Sequence, residues 1–245
     1  MSKRRVLLAA VVALMAVGTY PAAAADQTVT CPDVTEHTFS NPTDITTNAN
    51  MRLPVGTTFT SHGVTKGHAL DDVILVTNQT NVLDGVTTVV VDDRVSLDGH
   101  LAEETFDYFA QDDNRNVWYF GEDSSAIDKK GNTSSAGSWH AGVNGAQPGI
   151  VMEANPQVGD TYCQENVPGV AEDRAQVVAV GQSLVVPYAT FNKDVLETKE
   201  FTPLEPGKTE NKFYGGCVGE IKSVAITGGT EEQELTSVSP RLTPC

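Results

Sequence analysis

The sequence predicts an all-β fold: an antiparallel meander that curls into a curved sheet or open barrel, with a two-sheet β-sandwich as the alternative. Three observations predict it. Helical periodicity is almost absent, β-branched runs are frequent, and turn dipeptides recur along the chain. The clearest part runs from Asn78 to Glu122, where Asp84-Gly85 and Asp98-Gly99 each lie between residues suited to strands. Asp-Gly favours the two-residue hairpin turn because both positions tolerate positive φ. A third turn candidate, Asp112 to Asn116, follows at nearly the same spacing, which reads as an up-and-down meander.

Taken in order, residues 1–25 carry a basic start (Lys3, Arg4, Arg5), an apolar run from Val6 to Gly18 and an alanine-rich end at Ala22 to Ala25. This is the pattern of a secretory signal peptide cleaved after Ala25. The apolar run is 13 residues long, short of the roughly 18 needed to span a membrane. Cys31 follows Thr28-Val29-Thr30 rather than a small-residue lipobox, so a lipid anchor is not expected. The reading is a secreted protein, extracellular or periplasmic. Residues 26–53 read as an N-terminal extension and residues 54–245 as a single β domain. Cys31, Cys163, Cys217 and Cys245 in an exported chain predict two disulfides, with three connectivities open. Their spacing does not fit a zinc site.

Between Val86 and Leu97, Val89, Val91, Val95 and Leu97 share one parity, while Thr88, Asp92, Arg94 and Ser96 share the other; Val90 and Asp93 break the pattern. One face is therefore mostly buried. In the next strand, His100 to Ala110, Ala102, Phe106 and Tyr108 share a parity but Leu101 and Phe109 lie opposite, which implies that both faces are covered. Pairing Ala110 with Val117 would set Phe109 against Trp118 and Tyr108 against Tyr119, across a loop from Gln111 to Asn116. Asp112, Asn114 and Asn116 also match positions 1, 3 and 5 of a calcium loop, and are weak metal candidates. Val117 stands where glycine is needed, Asp123 stands where a bidentate Glu is needed, and the flanks are β-forming, so the hairpin is preferred.

Ser124 to Gly149 is a long Gly/Ser-rich connection, expected to cross an edge or mouth of the sheet. A second β region begins at Arg174. There, Ala175 to Phe191 reads as two strands joined near Gly181-Gln182, Pro203 to Ile226 supplies a Pro-Gly turn and a further strand, and Gly228-Gly229 marks another turn.

Charge narrows the partners. Loss of the leader removes three of the 16 basic residues and none of the 32 acidic ones, leaving a formal charge of −19. Such a chain repels nucleic acid and anionic lipid. "PGKT" at Pro206 to Thr209 lacks the first glycine of a phosphate loop, and no nucleophile elbow or H-E-x-x-H is present. His62, His68, Asp71 and Asp72 could gather around a metal, and Ser138 with His140 could form part of a nucleophilic pair. No cofactor is expected. Carboxylates cluster between Glu153 and Asp173, and paired carboxylates can act as acid and base on a sugar.

The ordered stretches "NVWYFGED", "GSWHAGVNGAQPGIVM", "VGDTYCQENVPGVAED" and "PLEPGKTENKFYG" resemble an uncharacterised family of secreted bacterial all-β proteins, over roughly Pro54 to Leu235. Asn114-Arg115-Asn116 departs from that family's Asp-Gly-Asn turn. The resemblance implies an exported β protein, lipocalin/LolA-like in outline, and brings no activity with it.

Three functions follow as expectations. The first is a non-catalytic exported binding protein for a small apolar or amphipathic ligand, using Phe106, Tyr108, Trp118, Tyr119, Phe120 and Trp139. The second is a carbohydrate-active hydrolase or lyase with Glu122, His140, Glu165, Glu172 and Asp173 as catalytic candidates. The third is a structural envelope or extracellular component.

Overall fold

The computed structural model describes residues 29–245, and the signal peptide read at residues 1–25 lies outside them. Fifteen strands follow a short 3-10 turn at Val34–Glu36. They are Thr58–Thr65 (β1), His68–Leu83 (β2), Val86–Leu97 (β3), His100–Gln111 (β4), Val117–Ile127 (β5), Thr133–Ser134 (β6), Trp139–His140 (β7) and Gln147–Met152 (β8). The rest are Thr161–Cys163 (β9), Glu165–Asn166 (β10), Arg174–Val185 (β11), Thr190–Phe201 (β12), Thr209–Gly215 (β13), Gly219–Thr227 (β14) and Glu232–Ser239 (β15). All pairings are antiparallel, in the order β8-β5-β4-β3-β2-β1-β15-β14-β13-β12-β11-β9. The first and last strands of the meander meet as β1 and β15, giving a single barrel-like sheet rather than a sandwich.

The sheet path nearly closes on itself through one short segment. β9 pairs with β11 at Cys163↔Arg174, and β10, one residue later, pairs with β8 at Glu165↔Pro148. The chain from Thr161 to Asn166 thus joins both ends of the path. Gly149 makes this possible: a Cβ there would lie 2.5 Å from the Cys163 carbonyl and 2.4 Å from that of Gln164. The disulfide Cys31–Cys163 fastens the N-terminal segment to this seam, and Cys217–Cys245 fastens the C-terminal tail.

Both Asp-Gly pairs form the turns expected of them, with φ of 47° and 80° at Asp84-Gly85 and 51° and 77° at Asp98-Gly99. The aromatic hairpin is offset by one residue from the expected register. Gln111 pairs with Val117, so Ala110 faces Trp118 and Phe109 faces Tyr119, and the ladder then shifts to place Tyr108 opposite Gly121. Asp112 causes the offset: its backbone N–H donates to the Asn116 carbonyl at 3.0 Å, closing the loop one residue sooner. A second correction concerns Ala175 to Phe191. Gly181-Gln182 lies inside the continuous β11, with Gly181 at φ 70° within an irregular stretch of the ladder, and the turn falls at residues 186–189.

The long connection supplies edge cover. One edge of β5 is occupied in turn by β8 at Val117–Tyr119, β7 at Gly121–Glu122 and β6 at Ala126–Ile127. Residues 29–53 pack into the same core as the barrel. Ile45, Met51 and Leu53 are buried, Asn48 bonds to Gln111 and to the Arg115 and Glu153 carbonyls, and the Arg52 N–H donates to the Val218 carbonyl.

Candidate functional site in the barrel interior

Strand periodicity sorts the predicted residues into two sets. Across β4 and β5, Asp107 opposes Glu122 and Phe109 opposes Tyr119 on the inner face, while Phe106, Tyr108 and Trp118 point outward. Trp118 and Phe120 are fully buried beneath Phe39, which meets them edge-on at 6.0 and 5.7 Å, and His37 covers Trp118 at 4.7 Å. They therefore offer no free ring surface to a ligand. Tyr108 donates to Asp123, whose other oxygen meets His140 Nε2 at 3.1 Å; these form a small outer cluster beside the half-exposed Phe106. Ser138 turns away from His140, bonding to the Ser124 amide. Tyr119 and Trp139 face inward, edge to face at 5.5 Å.

The metal candidates are engaged elsewhere. Asp112 accepts from the Asn116 amides, Trp118 Nε1 and His37 Nδ1, all within 3.0 Å, and Asp113 accepts from Thr38 and Ser40. The loop carboxylates anchor the N-terminal segment. His62 pairs with Asp71 and His68 with Asp98 at the surface, while Asp72, one residue on, points inward and is buried. Among the described residues no three metal-ligating side chains converge. "PGKT" lies in the β12–β13 turn, where Lys208 pairs with Glu205.

The inner face carries a layer of acids that sequence reasoning did not assemble. Tyr119 Oη lies 2.5 Å from Asp107 Oδ1 and 2.8 Å from Glu122 Oε2. One hydroxyl proton cannot serve two carboxylates, so one of the two acids carries a proton and donates it back. Burial accounts for this: it pushes Asp107 up to about 8, with Glu103, Glu165 and Asp72 adding to the effect. Glu122 is held well above the usual range by burial, then by Glu165 and Asp107. Trp139 Nε1 donates to Glu165 at 3.2 Å. Glu165 is thus close enough to raise both Glu122 and Asp173, in each case after burial. Glu172 is not part of this group and caps a surface turn at Gly169.

The layer continues around the barrel. Asp72 and Asp93 on β2 and β3 are buried and share a hydrogen bond; burial raises Asp72 to about 6 against that bond, Gln233 and Lys212. On the far wall Lys212 is buried, 3.0 Å from Glu200, 3.5 Å from Glu210 and 3.8 Å from Glu220. Burial alone would lower its pKa, but the three carboxylates outweigh this and hold it well above the usual value. Tyr214, Gln164 and Thr198 each donate to Glu200.

A cavity of about 40 Å³ opens onto this layer. Phe59, Ile74, Val91, Phe109 and Leu235 form its apolar wall, and Met51, Leu53 and Val218 close one end. Its floor is polar, with Asp72, Asp107, Glu220, Tyr214 and Gln233, and the cations Arg52 and Lys222 also line the cavity. It lies where β14 and β15 part, since only Lys222, Ser223 and Val224 pair across them. None of the six aromatics predicted as ligand contacts lines it. A signal for the acidic layer was present in the sequence: Asp72 and Asp93 sit at apolar parities of otherwise β-branched strands.

No protein-family model and no curated protein matches the chain. Among solved structures, a protein from Parabacteroides distasonis described as a lipoprotein is similar over 76% of this chain and 96% of its own, at 10% identity and a TM-score of 0.35. At that score the barrel description rests on this chain's own strand order.

Proposed function

We propose that this is an exported, non-catalytic binding protein whose barrel interior receives a small amphipathic ligand, and that it belongs with the secreted all-β family it resembles. The observation that carries the reading is the cavity, whose apolar wall ends on an acidic floor. Ligand pockets combine apolar walls with a few placed polar groups in this way. Two disulfides fit an oxidising, exported setting. The hydrolase alternative has less support. Glu122 and Glu165 are 3% and 1% exposed, and neither borders the cavity, so a glycan has no route to them.

The test is native mass spectrometry of the secreted protein, before and after organic extraction, compared with Val91→Phe, which fills the cavity. An extractable adduct is expected on the wild type and not on the variant. An adduct retained by a folded Val91→Phe protein, or a wild type that neither carries an adduct nor binds any member of an apolar and amphipathic panel, would contradict the reading.

A further inference from the structure

The cavity floor presents acceptors. Gln233 Oε1 has no hydrogen-bond partner, and Asp72 Oδ1 has none beyond the bond that Asp72 shares with Asp93, although Asp72 is 1% and Gln233 3% exposed. Glu220 Oε2 is also without a hydrogen bond, its nearest cation being Lys212 Nζ at 3.8 Å. The Gln233 amide N–H reaches Asp72 only at 3.5 Å. Buried acceptors are normally satisfied, and each one left open costs free energy. The open positions on this floor therefore ask for a donor-rich occupant. The orphan Gln233 carbonyl is independent of the carboxylates and points to the same chemistry.

Size and surroundings narrow the occupant further. A cavity of about 40 Å³ admits only a small occupant. A guanidinium brings a planar fork of five donors, more than the open acceptors can take up, whereas an ammonium with three donors matches them. A bare metal ion is disfavoured because no three ligating side chains converge among the described residues, and because the wall is apolar. Charge agrees: Asp72, Asp93, Asp107, Glu200, Glu210 and Glu220 surround the floor, with Lys212 as the buried cation among them. Two cations, Arg52 and Lys222, also line the cavity, but Lys222 is committed to Glu232 and Glu234 and Arg52 Nε to the Asn48 carbonyl, so neither satisfies the open acceptors.

We propose that the floor formed by Asp72, Glu220 and Gln233 recognises a protonated primary amine, so that the ligand is a small alkyl ammonium with its carbon chain against Phe59, Ile74 and Phe109. This rests on the binding reading above and names the head group that reading leaves open.

The test is calorimetry of n-butylamine, n-butanol and butyrate with the full secreted protein at neutral pH. The amine is expected to bind at least tenfold more tightly than the alcohol, because charge-assisted hydrogen bonds are about twice as strong as neutral ones. Butyrate is expected not to bind. Asp72→Asn and Gln233→Leu, with folding checked by circular dichroism, should each weaken amine binding about tenfold. Butanol binding as tightly as butylamine would overturn the amine assignment and leave the binding reading standing. Amine binding unchanged in both variants would also overturn it, by placing the amine elsewhere. Binding of none of the probes by the wild type would overturn the amine assignment, and if the native protein also carries no adduct, the binding reading falls with it.

Discussion

Asp112 commits both carboxylate oxygens to the hairpin it closes and to the segment that covers that hairpin. It holds the Asn116 amides, the Trp118 indole N–H and the His37 ring together in a buried position. Replacement by alanine would leave several of these groups without partners, so Asp112→Ala should lose about 3 kcal/mol in urea unfolding. A calcium role predicts something different, namely a loss of stability on adding a chelator to the wild type. Residue types in this loop were legible from the sequence, because Asp and Asn suit a tight turn. Their partners were not, since His37 and Ser40 lie more than seventy positions away. The same limit applied to Asp93, an evident exception on an apolar parity whose explanation, Asp72, sits on the neighbouring strand.

At the level of elements, the meander from β2 to β5 was readable because its turns are local and carry Asp-Gly signals. The junction of β9 and β10 with β8 was not, because it depends on the close approach of two distant segments at Gly149. Gly149→Ala should therefore force the Cys163–Gln164 backbone away and destabilise the protein by about 1–3 kcal/mol. Hydrogen exchange should show the loss concentrated in β8 and β9; an unperturbed β8–β9 region in the variant would refute this account of closure. The aromatic stretch illustrates the same division. Period-2 alternation correctly separates inward from outward positions, but a bulge beside Phe120 shifts the register, and the outward rings are covered by the N-terminal segment instead of a ligand.

The whole molecule places much of its acidity inside, in a layer around the barrel, and this reverses the usual dependence of stability on pH. Asp107 stays protonated in the folded state up to about pH 8, and Asp72 up to about 6, whereas both lose their protons near the ordinary value of 3.8 when unfolded. Between these limits the folded state binds more protons than the unfolded state, so stability falls as pH rises. The carboxylates held below their ordinary values, Asp33, Asp98, Asp113 and Asp128, are fully exposed and act only at lower pH. The interval from about pH 5 to about pH 8 therefore reports the interior acids together with Glu153, which burial and Asp160 push up to about 7, and Asp107→Asn separates the two. Unfolding free energy measured across that interval, for the wild type and Asp107→Asn, tests the buried acidic layer most directly. The account predicts a steady decline in the wild type that is shallower in the variant; a flat or rising profile, or a variant with an unchanged slope, would contradict it.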